Sequence, residues 1–62
     1  MREKVQGSFG PDGRAHVTVT DKETGKSETG YSWRHNDTPE GRAIAEKEAL
    51  DHANGKLDKL KK

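Results

Sequence analysis

Apart from alanine and the initial methionine, the chain has ten apolar side chains with which to build an interior: Val5, Phe9, Val17, Val19, Tyr31, Trp33, Ile44, Leu50, Leu57 and Leu60. That supply constrains the fold more than any motif does. A chain of 62 residues already stands near the smallest size at which burial offsets chain entropy. No cysteine is present, so neither a disulfide framework nor a thiolate zinc site adds stability. The expectation is one small domain with a thin core and only a few kcal/mol of net stability, helped by self-association or by binding a partner.

Charged residues make up 37% of the chain, yet 12 Lys and Arg almost cancel 11 Asp and Glu to leave a net +1. The strong basic signature of a nucleic-acid binder is therefore absent overall, and the one local excess is C-terminal, where Lys56, Lys59, Lys61 and Lys62 face Asp58. So high a charged fraction borders on the disordered class, but disorder carries no hydrophobic periodicity, and this chain has two kinds. No apolar run is long enough for a signal peptide or a membrane span. A soluble, cytoplasmic protein with no membrane partner is expected, the lack of cysteine being compatible with that compartment.

Val5 to Phe9 alternates and ends at "GPDG", residues 10–13, where Pro fixes φ and Gly is free to take positive φ. The run "RAHVTVT" puts Ala15, Val17 and Val19 on one face and His16, Thr18 and Thr20 on the other. After the polar loop "DKETGK", the stretch "SETGYSW" alternates again, with Thr29, Tyr31 and Trp33 in phase. Strands are thus expected at about 5–9, 14–21 and 27–34, forming a three-stranded antiparallel meander. "TPEG" then opens a helix, with Thr38 as N-cap, Pro39 at the first helical position and Glu40 in the first turn. Ala43, Leu50 and Leu57 recur every seven residues, with Ala53 and Leu60 beside them, and form one stripe.

The expected fold class is α+β, the sheet packed on one C-terminal helix. Phe9, Val17, Val19, Tyr31, Trp33, Ile44 and Leu50 make up its core, with Trp33 as the largest buried group and Ile44 at the sheet's edge. Asn54-Gly55 leaves the helix end open between a cap near 54 and continuation to 60. In the second case the helix outruns the sheet, and Leu57 and Leu60 become candidates for contact with a second copy or another protein.

The other face of the meander is polar. It holds Gln6 and Ser8, then Arg14, His16, Thr18 and Thr20, then Glu28, Ser32 and Arg34. One-sided wetting is ordinary for an antiparallel sheet, but short hydrogen-bonding groups with a few cations also suit base edges and phosphates. In the order strand, strand, strand, helix, and in the Thr24-Gly25-Lys26 turn, residues 5–54 resemble the arm-type DNA-binding domain of phage and transposon integrases. They resemble more distantly the plant ethylene-response DNA-binding domain. The resemblance implies a sheet laid in the major groove and braced by the helix, with Arg14, His16, Thr18, Thr20, Lys26, Ser32 and Arg34 as contacting residues.

Enzymatic chemistry has little to stand on. His16, His35 and His52 lack the i, i+4 spacing or a cysteine partner that a metal site uses, so no metal or other cofactor is expected. Asp21, Glu23, Asp37 and Glu40 have no enclosing mass to desolvate them as an acid–base pair. No Gly-x-Ser-x-Gly elbow occurs, and the glycines of "GSFGPDG" belong to turns rather than to a phosphate loop. No catalytic residue and no small-molecule substrate are expected. The function expected is that of a small non-enzymatic protein-interaction module, such as a phage or mobile-element protein that acts on a partner or self-associates. The alternative is a DNA-binding module that uses the polar sheet face.

Overall fold

The computed structural model describes residues 2–60. Strands β1 (Arg2–Phe9), β2 (Ala15–Asp21) and β3 (Lys26–Tyr31) form one antiparallel sheet in the order β1-β2-β3, and helix α1 (Pro39–Leu60) follows. This is the α+β meander-plus-helix expected from the two periodicities. Lys61 and Lys62 of the basic C-terminus lie outside the described residues.

The turns form where the sequence places them. In the first, Gly10 N–H donates to Arg14 O at 2.7 Å and Asp12 Oδ1 accepts from Arg14 N–H at 3.2 Å. Gly13 has φ 84°, and its carbonyl accepts from His35 N–H at 2.8 Å. A Cβ there would stand 2.8 Å from His35 O, so both the conformation and the docking of the segment before α1 require glycine. Thr38 caps α1 as read: its Oγ1 accepts from Gly41 N–H at 3.0 Å, and Pro39 opens the first turn.

The core is assembled mainly from small side chains. Ala15, Val17 and Val19 of β2 meet Ala45, Ala49, Ala53 and Leu57 of α1, with Phe9 and Leu50 packed at the margin. The buried helical positions Gly41, Ala45, Ala49, Ala53 and Leu57 recur every four residues. The seven-residue stripe expected from the leucines is therefore displaced: Ala43 and Leu60 are exposed and Leu50 is half-buried. Through this i+4 ridge α1 packs over β3 and β2 and only slightly over β1.

β3 shows why alanines win. Gly30 pairs with Val17 on the inner face, and a Cβ on it would fall 2.1 Å from Ala49 O and 2.3 Å from Ala53 N. Helix and strand backbones thus approach closely enough to exclude any larger residue. With Gly30 and Ser32 turned inward, the period of two sends Tyr31 outward. Tyr31 is 56% exposed, and Trp33, beyond the strand's end, 74%. Tyr31 and Trp33 are therefore not core, and Ile44, on the outer flank of α1, is also exposed. Val17 and Val19 are fully buried as expected.

α1 does continue through Gly55 to Leu60, but Leu57 is not left uncovered. The sheet reaches further than its apolar pattern, because β1 begins at Arg2 rather than near Val5. A bulge between Lys4 and Gln6 places Val5 at 60% exposure and shifts the alternation by one, so that Lys4 pairs with inward-facing Val19 and Arg2 with buried Asp21. Lys4 forms an ion pair with Glu46. Arg2 Nη1 donates to Asn54 O at 3.2 Å and Asn54 Oδ1 at 3.1 Å, and its other amino group pairs with Asp58. Long stems lie over the end of the core while the charged heads clamp the helix. Leu57 is 2% exposed, which removes it as an intermolecular contact; Leu60 remains accessible.

Gly55 has no atom within 4 Å of where its Cβ would lie, although it sits inside the helix. Gly55→Ala is expected to raise stability by about 0.5–1 kcal/mol, read as a higher melting temperature with an unchanged far-UV spectrum.

Candidate functional site

The outer sheet face is largely engaged with itself. Ser8 Oγ hydrogen-bonds His16 Nε2 at 3.0 Å, Thr18 Oγ1 bonds Thr29 Oγ1 at 2.9 Å, and Thr20 Oγ1 bonds Ser27 Oγ at 2.7 Å. These are cross-strand pairs that stabilise a sheet. By register, Glu3, Gln6 and Ser8, then His16, Thr18 and Thr20, then Ser27, Thr29 and Tyr31 share this face, and none is Lys or Arg.

The residues expected to contact a duplex are accordingly dispersed. His16, Thr18 and Thr20 do lie on the outer face. Ser32 does not: it is buried, accepts from Ala15 N–H at 2.8 Å and donates to Trp33 O at 2.7 Å. Glu28, opposite Val19, is turned toward α1. Lys26 opens β3 at the far turn, opposite Asp21. Arg34 is exposed in the segment between β3 and α1, and Arg14 lies beside Tyr31 and Trp33.

A second surface is better formed. The outer edge of β3 runs beside α1, and three helical side chains four residues apart reach onto its backbone. Lys56 Nζ donates to Thr29 O at 2.8 Å, His52 Nδ1 accepts from Tyr31 N–H at 3.0 Å, and Glu48 Oε1 accepts from Trp33 N–H at 3.2 Å. The i+4 spacing aligns them on one flank, and they occupy groups that a bare edge strand would present to another chain. His35 Nε2 donates to Glu48 at 2.8 Å. That bond, helped by the Trp33 N–H and opposed by partial desolvation, holds the Glu48 carboxyl below the ordinary glutamate range.

A folded-state value below the unfolded one means that ionised Glu48 favours the fold above the ordinary glutamate range. This contribution disappears as pH falls through the depressed value. Glu48→Gln is thus expected to lower stability near neutrality and to flatten the acid limb of a melting-temperature profile. An acid limb identical to that of the parent chain would refute the assignment.

Above this clamped edge lies an open cleft of about 550 Å³ lined by Arg14, Tyr31, Ser32, Trp33, Glu48, Asp51 and His52. Its walls include two of the chain's three aromatic side chains. The third, Phe9, is packed at the core margin under Arg42. Sequence reasoning missed this site because it placed Tyr31 and Trp33 inside; the available signal was Gly30, together with alanines every four residues on the helix. No three of His, Asp or Glu converge as metal ligands among the described residues. No helix among them is long and apolar enough to cross a membrane. No protein family model, curated protein or solved structure matches the chain.

Proposed function

We propose that the domain is a non-enzymatic protein-interaction module that engages its partner through the cleft between β3 and α1, with Trp33 and Tyr31 as anchors. The observation that carries this reading is the 74% exposure of Trp33 in a chain so short of core material. A domain that fills its interior with alanine and valine leaves its largest side chain in water beside a second exposed ring. Trp and Tyr are among the residue types that dominate binding energy at interfaces, and both line this cleft. A cytoplasmic setting, for instance as a phage or mobile-element protein acting on a partner, accords with this reading and with the cysteine-free chain.

Against a sheet-in-groove DNA mode weigh the absence of Lys and Arg from the paired outer positions of the three strands and the mutual engagement of the hydroxyls there. The test is selection of a random linear peptide library on the immobilised domain, followed by titration of the recovered peptides with the emission of Trp33, the only tryptophan, as readout. Trp33→Ala is expected to leave the melt within about 0.5 kcal/mol of the parent and to weaken recovered peptides by at least about 2 kcal/mol. The variant titrations are read by calorimetry. Salt-dependent binding of arbitrary duplex that survives Trp33→Ala would replace this reading with the nucleic-acid one.

A further inference from the structure

Two groups in the cleft differ, among the described residues, from the other aromatic rings and from the other carboxylates of α1. Each of the other two aromatic rings has a cation near its face: Arg42 Cζ lies 5.3 Å from the Phe9 centroid, and Lys56 Nζ lies 5.7 Å from that of Tyr31. Trp33, whose indole is the best acceptor for such a contact, has no cation over it among the described residues. Likewise, Glu46, Glu48 and Asp58 of α1 are paired with Lys4, His35 and Arg2, and Glu40 has the helix N-terminus beside it. Asp51 is exposed and makes no ion pair among the described residues, and it lines the same cleft as Trp33.

A single guanidinium has the chemistry to meet both. We propose that the cleft receives an arginine side chain of the partner protein, its guanidinium stacked on the Trp33 indole and forked onto the Asp51 carboxylate. This rests on the cleft being the contact surface. Arginine is the fitting cation because a planar guanidinium stacks on a ring and donates in its own plane at the same time, whereas an ammonium acts as a point charge. Of the two carboxylates in the lining, Glu48 is already committed to His35 and to Trp33 N–H, which leaves Asp51 as the one that takes the fork.

The experiment uses peptides recovered from the library, each resynthesised with citrulline in place of arginine, which keeps the shape and removes the charge. Citrulline is expected to weaken binding by about tenfold. Asp51→Asn is expected to weaken the arginine peptide to a similar degree and to abolish most of the difference between the two peptides. Arg14→Ala leaves affinity equal or raises it, since Arg14 opposes the incoming charge. Far-UV circular dichroism confirms that each variant is folded, both positions being exposed.

Recovered peptides that need Trp33 but are indifferent to citrulline and to Asp51→Asn would overturn the arginine inference while leaving the interaction reading intact. Loss of binding in Arg14→Ala with retention in Asp51→Asn would identify an acidic segment instead. If no recovered peptide depends on Trp33, both fall.

Discussion

Gly30→Ala is expected to unfold the domain. In an exposed strand the same change gains about 0.5–1 kcal/mol by restricting the unfolded chain; here the sign reverses. The new methyl would lie 2.1 Å from Ala49 O and 2.3 Å from Ala53 N. Both are backbone atoms of one helix, and no side-chain rotation relieves them. The remaining response is for α1 to withdraw from the sheet, which loosens the contacts of Ala45, Ala49 and Ala53 with Val17 and Val19. Overpacking costs about 1–3 kcal/mol and occasionally more, against a total that a domain this small rarely raises above about 5 kcal/mol. A thermal melt followed at far-UV wavelengths decides the matter: cooperative unfolding at the parent temperature would mean that helix and strand are further apart than described. Gly55→Ala is the internal control, since it adds the same methyl to the same chain where nothing stands within 4 Å.

That contrast explains which parts of the molecule could be read in advance. The alternation of "RAHVTVT" identifies the inner face of β2 because strand period depends only on local geometry, and "TPEG" marks the start of α1 because capping is satisfied within four residues. What could not be read from hydrophobicity is the face of β3. Apolar area ranks Tyr31 and Trp33 above Gly30 and Ser32 for burial, but the spacing between helix and sheet is set by the smallest residues on both sides. Alanines at 49 and 53 opposite Gly30 bring the backbones together and leave no volume for an indole. A weighting that treats Gly and Ala as contact residues finds the inner face, and the exposed aromatic cleft follows from it by alternation.

The start of β1 was hidden for a different reason. Arg2 and Lys4 face the helix, but a charged residue reads as solvent-facing in any apolar pattern, and the bulge at Val5 breaks the period that would have placed them. Their partners, Asp58, Asn54 and Glu46, are distant in sequence, so no local motif announces the clamp. The same clamp corrects the role of the helix's last turns: with Arg2 drawn across Asn54 and Asp58, the core extends beneath Leu57.

Leu57→Ala is therefore expected to cost about 2–5 kcal/mol, enough to leave this domain largely unfolded. Leu57 is among the largest side chains that are fully buried, and the other buried helical positions are three alanines and a glycine. It is the largest side chain that α1 buries fully. Neighbours cannot collapse into the vacated space, because Val17 and Val19 are held by strand pairing and Ala53 has no atoms to spare. Leu60→Ala, at a residue 45% exposed, is expected to cost under about 1 kcal/mol and serves as the comparison in the same segment. Truncation after Gly55 removes Leu57 together with the Lys56 bond to Thr29 O and the Asp58 partner of Arg2, and is expected to be at least as damaging as the single substitution. Should the truncated chain keep its cooperative melt while its mass by light scattering falls from that of an oligomer to that of a monomer, Leu57 belongs to a contact between copies and not to the core. An unfolded truncated chain from a parent that is monomeric at all concentrations places it in the interior, where its 2% exposure puts it.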